Sequence, residues 1–386
     1  MKKENKRRNR KLWIGAVALM LVTSIFTTFV LSTIGVIGIL PYKEYRQYKK
    51  LVSLSEKINE DFYKKPDKDM LETGIYKGLF AGLGDVYSAY YTKDEMKQLL
   101  EASSGKYVGV GMTVGADKET GRIRVESTFD KSPAKEAGIQ KGDFIVKVDG
   151  KSYTYQEMDI AVKNMRGKAG TSVKISLIRA NRPIEKTVVR RQITIQTIDS
   201  RVLENNLGYI SIKSFDEDTA DDFRSALKNL EAKNIKGLIV DVRDDGGGLL
   251  DVVENIADRL LGKAVIVYTQ DNKGNKEYLR SSDKEKISIP IVVLTNGNSA
   301  SASEILTGAI LDNKAGISVG TTTYGKGLVQ QVVPLRDGTG YKLTTAQYFT
   351  PNGSYINEKG IKPTIEVKEE KDQLPRAISY LKEKIK

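Results

Sequence analysis

Gly237-Leu-Ile-Val-Asp241-Val-Arg-Asp-Asp-Gly246-Gly-Gly-Leu-Leu250 is the stretch from which the rest of the chain is read. Gly237–Val242 is apolar almost throughout, as expected of a strand covered on both faces, and such strands belong to sheets flanked by helices. It runs into three glycines and then into Leu249–Leu261, whose apolar spacing is helical. A glycine turn at that place exposes backbone N–H groups where the helix N-terminus adds partial positive charge. Such a turn can hold a phosphate or an oxyanion, or be no more than a tight turn. It has neither the lysine of a P-loop nor the glycine spacing of a dinucleotide site.

Outward from this stretch the alternation continues. Leu207–Ile212 and Ile289–Thr295 read as strands, and Ser303–Leu311 as a helix. Thr219–Ala232 reads as a helix with Asp218 as its N-cap, and Leu374–Ile385 as a last amphipathic helix. The pattern predicts an α/β layered domain. Residues 103–192 differ, with short β-rich runs (Arg122–Ser127, Phe144–Val148, Val173–Arg179, Ile184–Arg190) and turns such as Asp149-Gly150. Residues 43–100 read as helices: Leu51, Leu54, Ile58 and Phe62 form one apolar set, Met70, Ile75, Leu79 and Leu83 another.

Leu12 to Leu40 contains no charged residue, and Pro41 ends the run. About 20 apolar residues cross a bilayer, so residues 12–40 are expected to be a transmembrane signal anchor. Seven basic residues precede the run within residues 1–11, against Glu4. That cluster is expected to stay cytoplasmic and to place the rest of the chain outside, as a single-pass protein of the cell membrane. A cleaved signal peptide is the competing reading, but the run is longer than a signal core and no clear Ala-x-Ala site follows.

The 386 residues suffice for two or three domains, and 40% hydrophobic with 29% charged residues suits a folded chain. Of the net charge of +13, +6 lies in residues 1–11, and the rest is spread among acidic neighbours, so no nucleic-acid partner is expected. There is no cysteine and no histidine. Disulfides, thiol nucleophiles, His-dependent triads and His-ligated metals are therefore excluded, and acid–base chemistry falls to Lys, Asp, Glu or Tyr.

Two further segments carry such groups. Thr295-Asn-Gly-Asn-Ser299-Ala-Ser301-Ala-Ser303-Glu304 follows an apolar strand and precedes an apolar helix, the setting of a nucleophile elbow. Its plainer reading is a capping box, Ser301-x-x-Glu304. In Tyr324-Gly-Lys326-Gly-Leu-Val-Gln330 a lysine stands between two glycines. Desolvated, a lysine can act as base to a serine; its plainer reading is a solvated side chain on a turn. A helical turn would bring Gln330 within about 6 Å of the lysine stem, whereas an extended chain would hold it about 13 Å away and defeat that role.

Taken together, the three segments resemble the C-terminal processing peptidases, or tail-specific proteases, which are Ser-Lys proteases with a PDZ domain. The matching elements, in order, are Arg243-x-x-x-Gly247-Gly248, Ser299-Ala-Ser-Ala-Ser-Glu304 and Gly325-Lys-Gly-x-Val-Gln330. Leu83-Gly-Asp-Val-Tyr-Ser88 and Leu343–Gly353 extend the likeness, which runs from about residue 50 to 370. It implies Ser301 as nucleophile, Lys326 as general base, Gln330 orienting the lysine, and the amides of Gly247 and Ala302 as the oxyanion hole. Tyr107-Val-Gly-Val-Gly-Met112 resembles a PDZ carboxylate-binding loop, which makes Val108, Gly109, Val110, Gly111 and Met112 candidate contacts for a substrate C-terminus. Ser132–Asp143 with Val146–Gly150 resembles the helix–turn–strand signature of bacterial PDZ domains. One departure is Asp244-Asp245-Gly246, where the family often has Asn-Asn-Pro or Asn-Asn-Ser.

The implied organisation is a basic tail (1–11), an anchor (12–40), a helical region (43–100), a PDZ domain (103–192), an α/β protease core with crotonase/ClpP-like layering (200–370) and a C-terminal helix (372–386). Protein or peptide substrates with free C-termini are the expected partners, with no metal or organic cofactor implied. A homodimer through residues 43–100 and 374–385 is a further expectation. Two readings from other classes are an inert PDZ adaptor and a crotonase-like acyl-CoA enzyme. Retention of Ser301, Lys326 and Gln330 together speaks against the first, and an external location against the second.

Overall fold

A computed structural model describes residues 2–33, 42–282 and 286–385, which fall into two compact units, Met1–Ile75 and Tyr76–Lys386. In the first, helix α1 (Lys2–Thr33) contains Trp13–Val30, a stretch long and apolar enough to cross a membrane. The anchor expected over 12–40 is helical as far as Thr33, and residues 34–41 lie outside the described ones. Helix α2 (Tyr42–Asp61) leaves Leu51, Leu54 and Ile58 exposed. Helix α3 (Lys68–Ala81) follows.

In the second unit, strand β1 (Ala89–Tyr91) corrects the all-helical reading of residues 43–100, since Ala89-Tyr90-Tyr91 pairs antiparallel with Gly340–Lys342. Helix α4 (Lys93–Ser104) then starts on a Thr92/Glu95 capping box and stops at Gly105, whose left-handed φ of 65° suits glycine.

Next comes a β-rich part: β2 (Lys106–Gly109), β3 (Met112–Asp117), β4 (Arg122–Thr128), α5 (Pro133–Glu136), β5 (Phe144–Val148), β6 (Lys151–Ser152), α6 (Met158–Met165), β7 (Ser172–Arg179), β8 (Arg182–Val189) and β9 (Arg191–Thr194). Its antiparallel sheet has the order β3-β4-β5-β7-β8, with β6 beside β5, while β2 pairs with β9. Along β7, Val173, Ile175 and Leu177 are fully buried and the residues between them face outward, the two-residue period of a sheet covered on one side.

The remaining elements alternate: β10 (Ile198–Leu203), β11 (Leu207–Ile212), α7 (Thr219–Glu231), β12 (Gly237–Asp241), α8 (Leu250–Leu260), β13 (Val265–Asp271), β14 (Lys276–Arg280), β15 (Ile291–Thr295), α9 (Ala302–Asp312), β16 (Gly316–Gly320), β17 (Leu328–Pro334), β18 (Gly340–Phe349), β19 (Ile365–Glu366) and α10 (Glu370–Lys384). The main sheet has the order β10-β11-β12-β15-β16-β19 and is parallel from β11 onward. Successive residues of its strands feed opposite layers. Leu238, Val240, Ile291 and Val293 join the core made with α7, α8 and α9; Ile239, Val292 and Leu294 join the core made with α10. Burying each of these side chains contributes about 1.5–3 kcal/mol. This is why the strands read as unbroken apolar runs.

One expectation changes here. Asp218 does not cap α7: its backbone is helical, its carboxylate pairs with Lys106 Nζ at 2.7 Å, and Thr219 Oγ1 instead accepts the Asp216 N–H at 3.0 Å. Helix α10 buries Ala377 and Leu381 against the main sheet and leaves Pro375, Ser379 and Glu383 exposed on its other face. A second antiparallel sheet, β1-β18-β13-β14 with β17 on β18, was not foreseen and forms one wall of the site.

Candidate active site

The loops after β12 and β15 leave neighbouring parallel strands at their C-terminal ends, where open α/β sheets place their ligands. They are laced together. The Ala300 N–H donates to the Asp245 carbonyl at 2.9 Å, the Ser299 hydroxyl to the Val242 carbonyl at 2.7 Å, and the Ser303 hydroxyl to the Asp245 carbonyl at 3.2 Å. Asn298 and Asn296 donate to Asp244 Oδ1 at 2.7 and 2.9 Å and hold that carboxyl below its usual pKa. The three alternating serines thus separate by role. Ser299 and Ser303 are fully buried ties between loops, and Ser301 faces the cavity.

Ser301 also stands apart in its backbone. An N-cap residue ordinarily lies in the β region, but Ser301 has φ 57° and ψ −112°. A non-glycine residue held there stores strain of the kind that clusters at active sites. The capping-box reading survives in part, since Glu304 Oε2 accepts the Ser301 N–H at 2.9 Å. Yet the fully buried Glu304 carboxylate does more than cap. It also accepts the Lys326 N–H at 2.8 Å, the Gly325 N–H at 2.7 Å and the Thr323 hydroxyl at 2.6 Å. One carboxylate therefore ties the backbone of Ser301 to that of Lys326. Tyr348, buried on β18, makes the matching link on the carbonyl side: its hydroxyl donates to the carbonyls of Ser301 (3.2 Å) and Lys326. Burial raises the Tyr348 pKa well above 10, which keeps it a donor.

The glycines around Lys326 have a packing reason. A Cβ on Gly325 would lie 2.9 Å from the amides of Lys359 and Gly360, and one on Gly327 would lie 2.5 Å from the Asn357 amide. Lys326 itself is half-buried, with Nζ 4.8 Å from the centre of the Tyr87 ring. Burial, then the positive charge of Lys342, lower its pKa from the ordinary 10.5; Asp85 and Glu304 pull the other way.

Of the two alternatives open for Gln330 the structure takes the extended one, since residues 328–334 form β17. A bulge between Val329 and Gln330 breaks the register with β18, and Gln330 lines the same cavity as Lys326. Its Nε2 donates to Thr344 Oγ1 at 3.4 Å, and Thr344 donates onward to Asp85 Oδ2 at 2.6 Å. Burial disfavours the Asp85 carboxylate, but hydrogen bonds from Ser88, Thr344 and the Tyr87 amide prevail and leave its pKa lowered.

Gly247 has φ 96°, and a Cβ there would lie 2.6 Å from the Ala300 carbonyl oxygen and 2.9 Å from the Ala302 nitrogen. Only glycine lets the two turns approach so closely. The Gly247 N–H is, however, already engaged: it donates to Asp245 Oδ1 at 2.8 Å.

Gly247, Ser301, Ala302, Lys326 and Gln330 therefore surround one cavity of about 360 Å³, with Leu249 and Ile305 among its apolar walls. The five PDZ candidates lie apart from it. Val108 and Gly109 end β2, Met112 begins β3, and Val110 and Gly111 form the loop between. The hydrogen bonds that Val110 and Gly111 make within the protein, among the described residues, use their carbonyls: Ala134 N–H to Val110 at 2.8 Å and Phe129 N–H to Gly111 at 3.0 Å. Sequence reasoning assigned no role to Glu304 beyond its cap, and none to Asp85, Tyr87, Lys342, Thr344 or Tyr348. Lys342 lies just ahead of Leu343–Gly353; for the others the only signal was membership of segments sharing the family likeness.

Comparison with known proteins places the chain in a family. The model of peptidase family S41 matches residues 206–367, and that of the PDZ domain matches residues 127–179. The carboxy-terminal processing protease CtpB of Bacillus subtilis (strain 168) is 37% identical over 326 residues, covering 83% of this chain and 68% of that protein. CtpA of the same organism is 34% identical over 362 residues, covering 93% and 77%. The solved structure of a photosystem II D1 C-terminal processing protease matches with a TM-score of 0.52 at 28% identity, over 83% of this chain and 87% of that one. The chain thus belongs to peptidase family S41, as a serine-type C-terminal processing protease with a PDZ domain.

Proposed function

We propose that this chain is a membrane-anchored endopeptidase working by a Ser301–Lys326 dyad. The observation that carries the reading is the pairing of a strained Ser301 with a half-buried Lys326 across one cavity, their backbones fixed to each other by Glu304 and Tyr348. Ser301 Oγ passes its proton to neutral Lys326 Nζ and bonds to the scissile carbonyl carbon. The amides of Gly247 and Ala302 receive the oxyanion. The C–N bond then breaks, and the leaving amine takes the proton from Lys326. Water, giving a proton to the same lysine, attacks the acyl ester; the C–O bond to Ser301 then breaks as Lys326 returns that proton to Ser301 Oγ. Gln330 positions the amine without adding a negative charge.

The loop 108–112 takes the terminal carboxylate of the substrate, which then lies along the exposed edge of β3. The domain bounds proposed are a tail at 1–11, an anchor at 12–40, an N-terminal region at 43–100 that is helical apart from β1, a PDZ domain at 103–192, a protease core at 200–370 and a C-terminal helix at 372–386. The parallel sheet between two helical layers supports crotonase-like layering of the core. The basic residues ahead of Trp13 support a cytoplasmic N-terminus and an extracytoplasmic catalytic part. Exposed Leu51, Leu54 and Ile58 support a dimer through the N-terminal helical region, and the outward face of α10 stays open to the second contact expected over residues 374–385.

The test is hydrolysis of a peptide with an apolar, free C-terminus. Ser301→Ala and Lys326→Ala should each lose on the order of 10³-fold or more in kcat/KM with unchanged circular dichroism. Substantial cleavage by Ser301→Ala would remove the reading.

A further inference from the structure

Asp245 is wholly buried on the turn that carries Gly247. Its Oδ1 accepts the Gly247 N–H at 2.8 Å, and its Oδ2 has no hydrogen-bond partner among the described residues. A buried carboxylate with one oxygen unsatisfied is costly, and the turn that carries it abuts the strained serine turn. We propose that Asp245 is a latch on the oxyanion hole: its carboxylate holds the Gly247 amide away from the reacting carbonyl, and a neutral side chain at this position releases it. The proposal rests on the Ser301–Lys326 reading and on Gly247 as an oxyanion donor.

The chemistry of the latch follows from its surroundings. An ionised carboxylate is a stronger acceptor for an N–H than a substrate carbonyl. It also sets a negative charge beside the place where the tetrahedral intermediate develops its own. Burial pushes the Asp245 pKa up to about 7; the Gly247 amide and Ser303 oppose the rise, and the negative charge of Asp216, from the loop ahead of α7, adds to it. The other charged groups nearby are turned elsewhere. Asp244 is held by Asn296 and Asn298, Arg243 by Asp241 and Gln373, and Glu304, on α9, by Ser301, Thr323, Gly325 and Lys326. The latch is therefore closed at alkaline pH and open at acid pH, opposite in sense to the activation of Lys326.

The experiment is the pH dependence of kcat/KM from about pH 6 to 9 for the intact chain and for Asp245→Asn. The ratio of the two rates cancels the titration of Lys326, which both share. It should lie near one at pH 6 and climb to about tenfold or more at pH 9, removal of one oxyanion donor costing up to 10²–10³-fold. A flat ratio, or a variant slower at every pH, overturns the latch. Asp216→Asn leaves position 245 intact and removes a neighbouring negative charge, so it should shift the wild-type inflection to lower pH. An unmoved inflection counts against the proposal even if Asp245→Asn folds poorly. Ser301→Ala in the same assay keeps the questions separate: activity there sinks the dyad, whereas an inactive Ser301→Ala with a flat ratio sinks the latch alone.

Discussion

Glu304 and Asp245 are both fully buried carboxylates beside the same cavity, and the protein treats them in opposite ways. Among the described residues, Glu304 receives four donors shared between its two oxygens, and Asp245 receives one, on a single oxygen. The first arrangement is a fixed clasp, in which three of the four donors are backbone amides and are fixed by it. The second is a group whose charge is tolerated rather than stabilised. The contrast teaches that burial does not decide what a carboxylate does; the number of donors aimed at it does.

Removing the clasp should have the largest effect. Glu304→Ala leaves buried amides of Ser301, Gly325 and Lys326 without their acceptor, each worth about 1–3 kcal/mol if unsatisfied. A loss of roughly 3 kcal/mol or more in denaturant unfolding is expected, with a fall in kcat exceeding that in KM. A stable, fully active variant would mean that the four hydrogen bonds do not hold the dyad in register. A smaller effect is expected away from the cavity. Amidating the C-terminus of a substrate removes the charge that loop 108–112 is proposed to hold, so cleavage should slow several-fold through KM. Equal rates for acid and amide would detach the PDZ loop from delivery.

The smallest expected change is one of position on the pH axis. Lys342 carries a like charge that lowers the Lys326 pKa, so Lys342→Met should raise that pKa and move the rising limb to higher pH. Asp85→Asn removes an opposing negative charge and should move it to lower pH. A limb that shifts in the wrong direction for either variant would show that the titrating group is not Lys326.

The parts legible in the sequence were those whose signal is local. Gly237–Val242 read as a doubly covered strand because it is apolar apart from Asp241, and the positions of Ser301 and Lys326 follow from short motifs. The sheet of β1, β13, β14, β17 and β18 was not legible, since its half-exposed strands are mixed in polarity and its pairing joins distant segments. The Thr344 amide meets the Ser88 hydroxyl across 256 positions of sequence, at 2.9 Å. No local period encodes such a contact. The sequence left Gln330 open between a helical turn and an extended chain; the segment is a strand with a bulge between Val329 and Gln330, and a bulge has no strong sequence mark. The occupied Gly247 amide was equally hidden, although the aspartate in place of the family's usual asparagine pointed at the right residue.

The central claim is that, in a chain without histidine, Lys326 is the base. It is tested most directly by kcat/KM from about pH 6 to 10 for the wild type and Lys326→Ala on one free-carboxylate peptide. The account predicts a rising limb through neutral pH in the wild type and a loss of at least about 10³-fold, without that limb, in the variant. An acid optimum near pH 5, or more than a tenth of wild-type activity retained by Lys326→Ala, would contradict it.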